Sequence, residues 1–377
     1  MRNIIIVGYN SFSKKVIDCL NNVRVILDDL TEDKNYNNVR IDNISNIRDY
    51  FDNESEIYVI DDMPYFDELY HKLYENGVNK INVIIKENID EVDKNILNSK
   101  YVQTYYLQYK PLLRYIETHI CDKCNLKCNG CSHFSNIATT DNVSIELFKK
   151  DLDDLENKFD VSMIRLMGGE PLLKSDFNDY IDYTRKKFPS STIFIVTNGL
   201  LIKNMSNQVI NSIRTNNVIV NISLYKPTLK IIKEIKSFLD NNRIKYRFGQ
   251  GNKEPLECDH IAKFHTCLDI DKIESDEKLT CYNQYCWFLR NGSIYKCPYP
   301  ALINILNDRY NTKFIISKDD CFKLSSIEDG WKIIKKLSNR VSFCNYCRNK
   351  VKNYDWNNKS AELNCFILGG EYGNIED

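Results

Sequence analysis

The residues with the clearest chemical potential lie between Thr118 and Phe134. Four cysteines fall in this stretch, and three of them, Cys124, Cys128 and Cys131, are spaced C-x3-C-x2-C. Soft thiolates this close together select zinc or iron–sulfur. A structural zinc site takes two C-x2-C pairs from separate parts of a chain and closes all four positions around one metal. A bacterial ferredoxin run is C-x2-C-x2-C-x3-C-P. The ferredoxin run does not fit, and structural zinc or a redox pair stays open as the plainer reading. A three-cysteine loop holds three irons of a [4Fe–4S] cube and leaves the fourth open, which is what a site needs in order to bind a reactant.

A second motif, Gly168-Gly169-Glu170-Pro171, follows a short apolar strand about forty residues on. With C-x3-C-x2-C and the Asn125-Leu126 that follows its first cysteine, it resembles the radical S-adenosylmethionine (SAM) superfamily. The resemblance implies that the open iron chelates the amino and carboxylate groups of SAM. Reduction then cleaves SAM to methionine and a 5′-deoxyadenosyl radical, which abstracts hydrogen from a substrate. It further implies that Gly168, Gly169 and Glu170 hold the methionyl amino group, that Asn198 in Thr197-Asn198-Gly199 contacts SAM, and that Ser223 reaches its ribose. His133, Tyr225, Lys226, Arg247 and Gln250 are the candidates for facing substrate. Each of these also has an ordinary structural reading, and no side chain is assigned as catalytic. One departure stands out. The residue before the third cysteine is commonly aromatic in the family and packs near adenine; here it is Gly130, with Phe134 as the substitute.

The C-terminal region carries a second cysteine set: Cys281, Cys286, Cys297, Cys344 and Cys347. Asn291-Gly292 between them is a strong hairpin signal. Two separated pairs also suit zinc. Cys281-x10-Gly292-x4-Cys297 with a later C-x2-C resembles the SPASM/Twitch auxiliary domain of radical SAM enzymes, which implies a second [4Fe–4S] cluster. Five cysteines compete for four places, so one of Cys281 and Cys286 is expected not to be a ligand. Cys19, Cys258, Cys267, Cys321 and Cys365 read as buried thiols.

These motifs must be held by a scaffold, and the pattern of the chain is α/β. Residues 3–8, 23–27, 57–60 and 81–85 read as strands alternating with helices at 11–22 and 66–76, the mark of a doubly wound parallel sheet. This Rossmann-like domain is placed at 1–105. Its turn, Gly8-Tyr9-Asn10-Ser11-Phe12, has one glycine where a dinucleotide fingerprint needs three. Residues 101–113 read as a linker. Five further strand–helix units follow, within a radical SAM core at 106–255. The resemblance implies a partial (β/α)6 TIM-like barrel, with motifs at the C-terminal strand ends. The helix after the fourth strand of this core is expected over 228–241, and the sixth strand is the uncertain one. A small cysteine-rich Twitch/SPASM-like domain is placed at 256–377.

Composition sets outer bounds. Lys+Arg at 51 against Asp+Glu at 52 gives a net charge of −1, without the basic excess of a nucleic-acid binder. No apolar run is long enough for a membrane span, and the N-terminal apolar run is too short for a signal-peptide core. A cytoplasmic location is expected, where 14 cysteines point to metal ligation rather than disulfides. The leading expectation is an oxidoreductase or epimerase acting on a small molecule, a sugar or nucleotide sugar of bacterial surface polysaccharide, with flavodoxin or ferredoxin as electron donor. The alternatives are a maturase of ribosomally made peptides and a non-catalytic zinc-stapled scaffold.

Overall fold

Buried β-branched runs build the first sheet. The computed structural model describes residues 3–52, 54–61, 66–86, 89, 92–97, 102–139, 141, 143–249, 264–273, 281, 283–354, 356–358 and 362–368. The chain divides into two units: Met1–Arg114 with Lys158–Ser162 and Asp329–Lys335, and Tyr115–Asn157 with Met163–Glu328 and Lys336–Asp377.

In the first unit β1 (Ile4–Val7), α1 (Ser11–Asp18), β2 (Val23–Leu27), β3 (Asn35–Tyr36), β4 (Val39–Asp42), β5 (Glu56–Asp61), α2 (Phe66–Glu75), β6 (Lys80–Ile85) and β7 (Val102–Tyr106) follow in order. The sheet order is β3-β4-β2-β1-β5-β6-β7. β1 pairs in parallel with β2 and β5, and β6 in parallel with β5. The expected linker is corrected here. Val102–Tyr106 is an edge strand antiparallel to β6, and its Tyr105 is buried. Its aromatic and β-branched residues suit a half-buried strand. At the turn after β1, Gly8 has φ +96° and the Asp28 carboxylate accepts from the Tyr9 N–H at 2.9 Å. Asn10 caps α1, its Oδ1 accepting from Phe12 N and Ser13 N at 2.8 Å each. The donors of this turn are thus engaged by the chain's own groups.

The second sheet begins with β8 (Leu112–Cys121), followed by α3 (Ile145–Glu156), β9 (Asp160–Gly168), α4 (Phe177–Lys187), β10 (Thr192–Thr197), α5 (Asn207–Thr215), β11 (Ile219–Ile222), α6 (Lys226–Lys230), α7 (Ile232–Asn241) and β12 (Lys245–Phe248). β9 to β12 run parallel. Ser144 and Ser206 cap α3 and α5. The single helix expected over 228–241 is two, broken at Ile231, with Pro227 in the first turn of α6.

The C-terminal region supplies β13 (Phe264–Leu268), β14 (Phe288–Arg290), β15 (Ser293–Tyr295), α8 (Pro298–Tyr310), β16 (Cys321–Lys323), α9 (Gly330–Ser338) and β17 (Cys347–Tyr354). The sheet order is β12-β11-β10-β9-β8-β14-β15-β16. The neighbour of β8 opposite β9 is therefore a hairpin strand, β14, paired with it in parallel. Among the described residues the next strand after β12 is β13, which pairs antiparallel with β17 in a separate two-stranded sheet and is not the expected sixth strand. The hairpin turns at Asn291 (φ +50°) and Gly292 (φ +71°), the left-handed pair of a type I′ turn. Among the described residues no helix is long and apolar enough to cross a membrane.

Two buried carboxylates fasten this hairpin. Asp151 on α3 accepts from the Gly292 N–H at 2.6 Å. Burial pushes its carboxyl up to about 6. Asp122, just beyond β8, takes both arms of the Arg290 guanidinium, Nη1 at 2.9 Å and Nη2 at 2.7 Å. Asp122 also accepts from His119 Nδ1 at 2.9 Å, and the side chains of His119 and Asp122 are each 1% exposed.

Because the folded Asp151 carboxyl titrates above its unfolded value, the native chain holds an extra proton between about pH 4 and pH 6. Stability therefore falls as pH rises through that window, by about 2–3 kcal/mol. Asp151→Asn keeps an acceptor for Gly292 and removes the charge. Urea midpoints should match the parent at pH 4 and exceed it at pH 7; an equal difference at both pH values would refute the assignment. Arg290→Met should cost about 3–5 kcal/mol by leaving Asp122 buried with half its partners. Adding Asp122→Asn should restore part of that loss in a double-mutant cycle.

Candidate functional site

The cysteine loop leaves the end of β8 and lies against the end of β9. Gly169 N donates to Cys121 O at 2.8 Å, and Glu170 N donates to Lys123 O at 3.0 Å. A Cβ on Gly168 would stand 2.2 Å from Cys121 O, and one on Gly169 would stand 2.2 Å from Lys123 O and 2.8 Å from Cys124 N. What the two glycines admit is thus the backbone of the cysteine loop itself. Gly130 has φ +68°, a left-handed position that favours glycine over the aromatic residue common there in the family.

Two of the three sulfurs receive N–H donors. Cys124 Sγ accepts from Leu126 N at 3.4 Å. Cys128 Sγ accepts from the Trp356 indole Nε1 at 3.1 Å. Burial pushes the Cys131 thiol up, and the backbone amides of His133 to Asn136 that follow it oppose that rise. Burial pushes the thiols up, Cys124 to about 12 and Cys128 to about 11. Sulfurs that accept N–H groups suit negatively charged ligands of a bound cluster, whose positive iron would supply the missing stabilisation. Among the described residues no group of three or more His, Cys, Asp or Glu side chains converges on the position of one metal ion. A cluster asks for a different arrangement, with one thiolate per iron. Cys121, outside the motif, is 3% exposed, and its Sγ lies 3.5 Å from Lys123 O.

Glu170 ties three strand ends together. Its carboxylate is fully buried and accepts from Thr197 Oγ1 at 2.7 Å, Asn198 N at 2.9 Å and Leu172 N at 3.1 Å. Burial raises its carboxyl to about 7. Asn198 Nδ2 donates in turn to Asn125 Oδ1 at 2.7 Å, next to Cys124, and Asn198 Oδ1 accepts from Leu200 N at 3.0 Å. Glu170 and Asn198 therefore join the end of β10 to the cysteine loop.

The other expected residues are placed as follows. Ser223 lies at the end of β11, where its N donates to Thr197 O at 2.9 Å. Tyr225 packs against the cluster of Leu126, Cys128 and Trp356. Lys226 is exposed at the start of α6. Arg247 stands over the Phe194 ring at 4.2 Å. Gln250 and Cys258 lie outside the described residues. His133 Nδ1 meets His119 Nε2 at 2.8 Å, with the rings stacked at 14°. Asp122 can only accept, so His119 carries its proton on Nδ1, and His133 donates to the bare Nε2. Phe134, the expected adenine partner, is corrected: it is 1% exposed and packs against Tyr299 and Phe366 in the C-terminal core.

The second cysteine set gathers around a cavity of about 220 Å³ whose lining includes Cys267, Cys281, Cys297, Cys344 and Cys347. Lys296 also lines it, its ammonium favouring the charged form of Cys281 and Cys297. Cys286 is not in the lining; its thiol lies near the Tyr115 phenol instead. Cys267 replaces the expectation of an ordinary buried thiol. The register of β13 against β17 slips between Thr266 and Leu268, and such a bulge re-aims a side chain, here onto Cys347. Sequence spacing had no means of finding this residue, because its cysteine partners lie far along the chain. Trp356 was missed for the same reason.

Residues 118–244 match the radical SAM superfamily. A relative from Bacillus subtilis, the antilisterial bacteriocin subtilosin biosynthesis protein AlbA, is 33% identical over 30% of this chain and 25% of its own. A probable GTP 3′,8-cyclase of Methanocaldococcus jannaschii is 28% identical over 35% of this chain and 43% of its own. The chain thus spans less than half the length of either. A solved structure, Streptococcus suis SuiB, matches at 16% identity and TM-score 0.29, covering 36% of this chain and 32% of that one. The sequence match, lying over the cysteine loop and the glycine pair whose backbones interlock, identifies residues 118–244 as a radical SAM superfamily domain, with the SAM and [4Fe–4S] cluster that membership implies.

Proposed function

We propose that this chain is a radical SAM enzyme with a second, auxiliary [4Fe–4S] cluster, acting on a small-molecule substrate. The observation that carries the reading is the loop of three motif cysteines after β8, with Leu126 N and Trp356 Nε1 donating to the first two sulfurs. Cys124, Cys128 and Cys131 would hold the primary cluster, which when bound with SAM supplies a 5′-deoxyadenosyl radical for hydrogen abstraction. Glu170 uses three of its roughly four lone-pair sites on the chain's own donors. The remaining one suits the SAM ammonium. Asn198 and Ser223 would orient the same ligand. The parallel strands β9–β12, with β8 beside β9, would serve as the partial barrel and the first unit as a Rossmann-like domain. A flavodoxin or ferredoxin would deliver the electron.

Cys281, Cys297, Cys344 and Cys347 are proposed as the auxiliary ligands, supported by their shared cavity and by Lys296 beside it. A sugar or nucleotide sugar, oxidised or epimerised, remains the substrate reading. Its support is the N-terminal α/β unit, which stands where a peptide maturase usually has a winged helix. The bacteriocin biosynthesis relative favours the peptide maturase as second reading. Release of 5′-deoxyadenosine stimulated by a nucleotide sugar, and not by a peptide, would decide for the first.

Replacing Cys124, Cys128 and Cys131 together by Ala should abolish SAM cleavage and leave about four irons per chain at the auxiliary site. Cys281→Ala should lower iron content while Cys286→Ala leaves it unchanged; the reverse result would reject the cavity as the cluster site. Glu170→Gln should weaken SAM binding about tenfold to a hundredfold, the loss of a charge-assisted contact, with iron content intact. Native SAM affinity in that variant would confine Glu170 to tying the strand ends together.

A further inference from the structure

The C-terminal segment reaches the cysteine loop at a point no sequence motif marks. Trp356 is 8% exposed and Cys128 is 6% exposed, and the indole Nε1 lies 3.1 Å from the sulfur. An indole N–H can only donate. The sulfur is therefore the acceptor, and water does not compete for it. The ring is held in place from its other side by Tyr225, stacked at 6.0 Å and 29°. Two residues on, the Asn358 side-chain oxygen accepts from the backbone N–H of Lys127, next to Cys128. Residues 356–358 thus grip the loop at two consecutive positions. The chain has three tryptophans. Trp287 is fully buried just before β14, and Trp331 stacks on Tyr74, so neither shares this setting.

We propose that Trp356 is a positioning residue for the primary cluster, its N–H holding the Cys128 sulfur and raising the cluster's reduction potential. The proposal rests on the cluster reading given above. Its physical basis is direct. Reduction adds negative charge that spreads onto the ligand sulfurs, and a donor aimed at one of them stabilises the reduced state more than the oxidised one. The bond is buried, so its effect is not diluted by solvent.

The test uses the full chain with both sites reconstituted. Trp356→Phe keeps a stacking ring and removes the N–H. Iron content should stay at the parent level. In an EPR-monitored redox titration, the signal that changes on adding SAM marks the primary cluster. Its midpoint should move negative by about 59 mV, a tenfold change in the one-electron equilibrium. The SAM-insensitive signal should not move. Reconstitution should quench Trp356 fluorescence in the parent, and the variant should lack that component of the quench. Asn358→Ala, which keeps the indole, should leave the potential unchanged.

An unmoved primary midpoint at full iron would overturn the proposal, as would equal shifts in both signals. Loss of iron from Trp356→Phe with native circular dichroism would also overturn it, because the indole would then be a requirement of assembly and not a modulator. A parent chain that takes up iron but shows no SAM-responsive signal would instead sink the radical SAM reading itself.

Discussion

The site exists because two side chains are absent. Gly168 and Gly169 let the chain after β9 pair with the backbone leaving β8, and any Cβ there would fall within 2.2 Å of a carbonyl oxygen. The two hydrogen bonds made across this contact fix where Cys124 starts. From that anchor the rest follows in order. Glu170, the next residue, is drawn inside and takes donors from the end of β10. Asn198 carries the connection back to Asn125. A closed circuit of backbone and side-chain contacts thus holds the start of the cysteine loop. Only the far side of the loop depends on other elements, and there Trp356 and the amides after Cys131 take over.

Much of this was legible in the sequence. The cysteine spacing and Gly-Gly-Glu-Pro marked the site because both constraints are local: a few consecutive residues decide the loop and the turn. The hairpin at Asn291-Gly292 was legible for the same reason. The errors have a common cause of the opposite kind. Phe134 lies beside the loop in sequence, yet its ring turns away into the C-terminal core. Cys267 stands eighty residues before Cys347 in sequence, yet a slip in strand register delivers it there. The break at Ile231 and the edge strand at Val102–Tyr106 depend on packing and pairing, which periodicity does not encode. Glu170 shows a subtler limit. Its motif was recognised, but not how thoroughly the chain's own donors engage its carboxylate.

The charged chain Arg290–Asp122–His119–His133 binds the two cysteine regions into one body of structure. Arg290 is on the hairpin that leads to Cys297, and His133 follows Cys131 by two residues. Buried ion pairs are weak evidence for stability, since desolvation offsets much of their attraction. Their value here is specificity. A bidentate guanidinium–carboxylate pair has one geometry, and the ring tautomers that follow from it leave a single orientation for each imidazole.

The position of β14 has a consequence for how this protein can be dissected. The radical SAM match ends at residue 244, and a minimal catalytic fragment would naturally be cut near there. Such a fragment would lose the strand that pairs with β8, together with the arginine that neutralises Asp122. It would present the open edge of β8, with Glu117 and Thr118, the former partners of Phe288 and Leu289, beside an uncompensated carboxylate. Unpaired edges of this kind recruit other chains. The segment that looks like a self-sufficient module in sequence is, in the fold, an unfinished sheet, and its expression alone would favour self-association over cluster assembly.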